Sequence, residues 1–254
     1  MKIRALTLYA TAIYAFLHLP LIILGVFSFN SSKLTQWEGF SLRWYRAALG
    51  DHALLESAWN SLLIASLATA LSTIIGTLAA YAIWKRKARW ITTSLSVSLV
   101  TPEIVTGVSL LALFQIVFRL LHLQLGIHTV VLAHVSFCLV YVVMVVLARL
   151  RTMDNSFEEA AQDLGATPWQ AFREVTLPML KPGIIAAALL VFTTSLDDYV
   201  ITSLVAGVDS ETLPMVIYGM ARRGVNPAVN AISTLIVFGL GILIVISQRL
   251  EQKP

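Results

Sequence analysis

Six apolar stretches, each long enough to cross a bilayer as a helix, make up most of this chain: residues 6–29, 57–84, 90–118, 125–148, 183–206 and 229–248. About 20 predominantly apolar residues suffice for one crossing at a rise of about 1.5 Å per residue. With 57% hydrophobic and 13% charged residues, the chain lies far from the roughly one-quarter charged make-up of soluble domains. The expected fold is an all-α membrane protein of six transmembrane helices, with residues 1–254 forming a single membrane domain. Lys2 and Arg4 precede the first stretch as they would in a signal peptide, but its apolar run exceeds the about 7–15 residues of such a segment. It reads as a retained anchor helix.

Six crossings put both termini on one side, together with the second-to-third and fourth-to-fifth connections. That side carries Lys2, Arg4, Lys85, Arg86, Lys87, Arg89, Arg149, Arg151, Arg173, Lys181, Arg249 and Lys253, twelve basic residues. The other side carries six: Lys33, Arg43, Arg46, Arg119, Arg222 and Arg223. The excess assigns the termini to the cytoplasm, and the net charge of +4 follows from topology without a nucleic-acid partner.

The polar interval between the fourth and fifth stretches, about 151–182, has its own pattern. Ser156 followed by Glu159 reads as a capping box, and Gly165 supplies the left-handed residue that closes a short helix. Thr167, Pro168 and Gln170 open a second helix, which Leu177-Pro178 is expected to stop. Phe157, Ala160, Ala161 and Leu164 share one face and leave an apolar stripe to fit against something. A helix lying on the membrane would carry a basic polar face; this one carries Asp154, Glu158, Glu159 and Asp163.

Glu159-Ala160-Ala161, three residues, Gly165, nine residues, Val175, one more, Leu177-Pro178 resembles the cytoplasmic loop of bacterial ABC importer permeases. Asn60-Ser61-Leu62-Leu63-Ile64-Ala65-Ser66 and Gly76-Thr77-Leu78-Ala79-Ala80-Tyr81-Ala82 extend the similarity. The resemblance implies a type I importer permease fold with a cytoplasmic coupling helix, in which Glu159, Ala160, Ala161 and Gly165 dock on a separate ATPase. No Walker A sequence occurs in the chain, so ATP and magnesium are expected on that partner, with no cofactor here. The resemblance also implies two ATPase copies, a second homologous permease, expected to be a different chain, and a periplasmic binding protein. Segments 30–56 and 207–228 are where that protein is expected to dock, and Trp37, Trp44 and Tyr45 are read as anchors in the membrane interface.

Charged side chains at mid-bilayer depth are candidate transport residues by default. Asp197 and Asp198 lie 14 and 15 residues into the fifth stretch, roughly 21 Å from its start, and Glu103, after the helix-breaking Pro102, lies at about 18 Å in the third. Thr193, Thr194, Ser195, Tyr199, Thr101 and Thr106 add hydroxyls. Carboxylates with no embedded lysine or arginine would attract a cation. Neighbouring helical positions point about 100° apart, so one aspartate is expected to line the path and the other to meet a second subunit. Helix packing alone is the bland alternative for these acids.

Thr194-Ser195-Leu196-Asp197-Asp198-Tyr199-Val200-Ile201, Thr101-Pro102-Glu103-Ile104-Val105 and Val26-Phe27-Ser28-Phe29-Asn30-Ser31-Ser32 narrow the resemblance to the permeases of spermidine/putrescine importers, whose linear polycationic cargo suits the acids. Related loops occur in importers of amino acids, ferric iron, thiamine and phosphonates. An ion-coupled secondary cation transporter would call for internal repeats, and none is evident. An intramembrane enzyme built on the two aspartates would need a second acidic motif, and only Glu103 is at hand. Cys138 is alone and reads as a buried thiol. His122, His128 and His134 recur every six residues, spread over different helix faces, and no metal site is expected.

Overall fold

The computed structural model describes residues 2–33, 36–154, 156–223 and 227–251. Of the residues on which sidedness rests, Lys253 lies outside the described residues, as do the side chains of Lys2, Arg4 and Arg249. In chain order the helices are α1 (Lys2–Phe27), α2 (Arg43–Leu49), α3 (His52–Arg86), α4 (Arg89–Val100), α5 (Glu103–Leu121), α6 (Ile127–Arg151), α7 (Ser156–Asp163), α8 (Pro168–Ala171), α9 (Leu177–Asp197), α10 (Val200–Val205), α11 (Leu213–Arg222) and α12 (Pro227–Glu251). A five-residue π-helical segment, Phe172–Thr176, joins α8 to α9. Among the described residues the only β pairing is an isolated bridge between Asn30 and Phe40.

Five of these helical runs are long and apolar enough to cross a membrane: 6–27, 52–86, 103–121, 127–151 and 168–197. The 25-residue α12 follows the sixth expected stretch. Two expected spans are not single helices. The third breaks at Thr101-Pro102, both in extended conformation, because Pro102 has no N–H and the residue before a proline avoids the helical region. The fifth breaks at Asp198. It also starts at Leu177 rather than residue 183, so its 21 residues place Asp197 about 30 Å along the helix instead of about 21 Å.

The chain forms two compact units. In the one made of residues 1–56 and 216–254, Trp44 is buried beside Ala228 and Ala231 and its indole N–H donates to Asn30 O at 2.9 Å. The Tyr45 hydroxyl meets Ser28 Oγ at 2.6 Å. Trp44 is therefore a buried core residue rather than an interface anchor, whereas Tyr45 is half-buried and Trp37 remains half exposed.

In the second unit, residues 57–215, α6 is the central post. Val130, Ala133, Cys138, Val142, Val146 and Leu150 are buried along it, and α9 packs against its length. Gly76 lets α3 approach α6: a Cβ there would lie 2.7 Å from Val142 Cβ. Gly107 does the same for α5 and α10 against Leu204. Asn60 Nδ2 donates to Asp209 O and Glu211 O at 3.3 and 3.1 Å, which fastens the 207–212 loop to α3.

Candidate functional site

The two helix breaks face one cavity of about 510 Å³, lined by Thr101, Pro102, Glu103 and Thr106 from one break and Thr194, Asp197, Asp198 and Tyr199 from the other, with Ser98, Phe137 and Tyr141 beside them. All five residues read from the sequence as pathway residues, Glu103, Asp197, Asp198, Thr194 and Tyr199, are therefore brought together. Irregular backbone at membrane depth is tolerated where it lines a cavity. The carbonyl-rich C-terminal ends of α4 and α9 reach this point, and such ends favour positive charge. Glu103 is the first residue of α5, where the helix N-terminus favours its negative charge.

Asp197 and Asp198 separate in role. Asp197 is exposed. Asp198 accepts from Thr202 N at 2.8 Å and Thr202 Oγ1 at 2.7 Å, so it caps the first turn of α10. Its Oδ2 is 3.5 Å from His134 Nε2, and the two side chains are 7% and 1% exposed. His134 also meets Ser195 Oγ at 2.6 Å and Thr202 Oγ1 at 2.9 Å. The single hydroxyl proton of Thr202 goes to Asp198, so the network assigns the Nε2 proton of His134 to Thr202 Oγ1. The second aspartate is thus held by side chains of its own chain. Ser195 is buried against His134 and adds no hydroxyl to the cavity. Helical spacing treated His134 as one of three scattered histidines, and it carries no signal of a partner 61 or 68 residues away.

The polar interval forms the two short helices expected. Gly165, at φ +93°, closes α7 in a Schellman arrangement: Gly165 N–H donates to Gln162 O and Ala166 N–H to Ala161 O. Thr167 and Gln170 make the expected capping box, with Thr167 N–H on Gln170 Oε1 at 2.8 Å. At the start of α7 the arrangement differs from Ser156 capping, for Ser156 is already helical and its N–H donates to Asp154 Oδ1 at 3.0 Å. Leu177-Pro178 does not stop the second helix either. Across the π segment Leu177 N–H reaches Phe172 O, and the shifted ladder admits Pro178 at the start of α9, where a missing N–H costs little.

Of the residues read as the coupling element, Glu159, Ala160 and Gly165 are exposed and Ala161 is half-buried; Phe157 and Leu164 are exposed beside them. Glu158 does not belong to the outer acidic face. It is 3% exposed, ion-paired with Lys85 Nζ at 3.0 Å, and accepts from Tyr81 Oη at 2.6 Å and Thr176 Oγ1 at 3.0 Å. Burial works against its ionisation, but hydrogen bonds from Tyr81, Lys85 and Thr176 and the charge of Lys85 outweigh it and hold the carboxyl below its usual range.

An all-helical, multi-pass chain with two interrupted spans around an acidic cavity and an exposed pair of short helices has the architecture of a membrane permease subunit. Residues 72–253 match the family described as binding-protein-dependent transport system inner membrane component, and the chain belongs to that family of inner-membrane permeases, which is not an enzyme family. It is 44% identical over 237 residues to the putrescine transport system permease protein PotI of Escherichia coli K12, covering 91% of this chain and 84% of PotI. To the spermidine/putrescine transport system permease protein PotC of the same strain it is 40% identical over 246 residues, covering 95% and 91%. A bacterial ABC transporter involved in alginate import has the same fold, with a TM-score of 0.72 at 18% identity over 98% of this chain and 95% of that one.

Proposed function

We propose that this chain is the permease subunit of an ATP-driven polyamine importer and forms half of its translocation pathway. The observation that carries this reading is the convergence of Glu103, Asp197 and Asp198 on one cavity. Similarity to PotI and PotC supports the cargo class. A linear polyamine presents ammonium groups separated by methylenes, and a cavity with separated carboxylates, hydroxyls and the rings of Tyr141, Tyr199 and Phe137 offers each a partner. Glu103 and Asp197, both exposed, make the direct contacts, with Thr194 and Tyr199 alongside; Asp198 acts mainly by fixing the break.

Residues 1–254 work as one permease domain, with 151–182 as the coupling loop. Both termini and α7 lie on the cytoplasmic side. Glu159, Ala160, Ala161 and Gly165, with the exposed rings and side chains beside them, dock on one of two ATPase copies, which hold the ATP and magnesium. A second, non-identical permease completes the pathway, and a periplasmic polyamine-binding protein delivers the solute. Alternating access follows: ATP closes the ATPase pair, the docked helices open the cavity outward, and hydrolysis resets it. The test is uptake of labelled putrescine and spermidine by cells with and without this chain, with amino acids, thiamine and ferric iron as competitors. Uptake that depends on the chain and resists those competitors supports the reading; polyamine uptake indifferent to the chain refutes the cargo.

A further inference from the structure

Glu158 lies on the inner side of α7, away from the stripe that faces outward, and binds three side chains from other parts of the chain. Tyr81 and Lys85 come from the last turns of α3, and Thr176 ends the π segment that leads into α9. Tyr81 also presses its ring on Phe172 of that segment at a centroid distance of 4.4 Å, and Phe172 is buried. One carboxylate thus joins three elements: the short helix and two membrane-crossing helices that are far apart in sequence. A π segment inside a helix commonly marks a functional site, and this one supplies both the Thr176 hydroxyl and the Phe172 ring to the cluster.

We infer that Glu158 is the joint through which movement of α7 is passed to α3 and α9, making it a positioning residue for energy coupling. The inference rests on the proposal that α7 docks on an ATPase. Movement of a short surface helix reaches the cavity when the helix is tied to a span that lines it, and α9 ends in Asp197, which lines the cavity. The exposed residues of α7 supply the docking face, whereas Glu158, turned the other way, supplies the tie. Removing its charge leaves Lys85 facing a neutral amide and weakens the hydrogen bonds from Tyr81 and Thr176, because a bond to a charged acceptor is about twice as strong as a neutral one.

The experiment uses the complete importer, this chain with its partner permease and ATPases, in proteoliposomes supplied with binding protein. Labelled putrescine uptake and ATP hydrolysis are measured together. Glu158→Gln is expected to lower uptake per ATP about tenfold, the kinetic equivalent of one charge-assisted hydrogen bond, with hydrolysis within about twofold of wild type, since the docking face is intact. Tyr81→Phe, which keeps the ring on Phe172, is expected to give a smaller loss in the same direction, and the double variant no more than Glu158→Gln alone. Should Glu158→Gln fail to accumulate, Tyr81→Phe carries the test. An unchanged ratio, including hydrolysis and uptake falling in proportion as a purely structural residue would produce, overturns the inference. Wild-type complex that hydrolyses ATP without moving putrescine or spermidine instead refutes the proposed function.

Discussion

The Nε2 atom of His134 lies 3.5 Å from Oδ2 of Asp198, with both side chains almost wholly buried, so the second of two adjacent aspartates is tied into the protein while Asp197 is left facing the cavity. Asp198→Ala and His134→Ala are each expected to cost about 1–3 kcal/mol of stability by leaving buried polar partners unpaired. Asp197→Ala should be near neutral. Thermal unfolding of the three variants in detergent measures the split, and equal losses at 197 and 198 would contradict the division of roles.

Uptake should show the reverse order. Glu103→Gln and Asp197→Asn each remove a charged partner for an ammonium group, and each is expected to raise the half-saturating polyamine concentration by about tenfold or more, with normal amounts of protein in the membrane. Concentration dependence of labelled spermidine and putrescine uptake is the measurement. Unaltered half-saturation in both variants would return the acids to helix packing.

Gly165 offers a test of local geometry. Its φ is +93° and nothing lies within 4 Å of where a Cβ would stand, so a substitution there meets backbone strain and no clash. Gly165→Val is expected to strain the turn by about 1–3 kcal/mol and to lower uptake per ATP hydrolysed, while the amount of assembled complex is kept. Normal coupling in Gly165→Val would show that the turn between α7 and α8 is not needed in this form.

The Glu158 joint carries a pH dependence of known sign. Its carboxyl lies below the usual range in the folded protein, so the unfolded chain binds more protons near that range and stability rises with pH. The contribution is complete above the ordinary carboxylate pKa of about 4.3 and is lost as the pH falls through the lower folded value. Thermal stability of the purified complex on an acid series should fall more steeply for wild type than for Glu158→Gln; parallel curves would remove the ionised joint.

The sequence showed most of the fold and the main features of the cavity, for identifiable reasons. Apolar length sets the number of spans, and a Thr-Pro-Glu run places a break and an acid together. The cap at Gly165 and the box at Thr167 depend on residues within five positions of each other, which local pattern can show. What stayed hidden is long-range pairing. Glu158 looked like one acid of a solvated face because Tyr81, 77 residues away, is what buries it. His134 looked like a scattered histidine until α9 and α10 folded against α6. The early start of α9 was hidden because Pro178 reads as a stop, and a π turn before it lets the helix continue. Trp44 looked like an interface ring because its acceptor, Asn30 O, lies 14 residues back across a turn.

In the proposed function, separated carboxylates of an ATP-coupled permease bind a polycation. The most direct test is ATP-dependent uptake of labelled putrescine and spermidine by proteoliposomes holding the complete importer, comparing wild type with the Glu103→Gln/Asp197→Asn double variant. Wild type is expected to take up a polyamine and to stop without ATP, and the double variant to lose more than about tenfold in uptake efficiency, at least the effect of one charged contact. Polyamine uptake that the double variant leaves intact, or a wild-type complex that moves no polyamine on ATP, would contradict the proposed function.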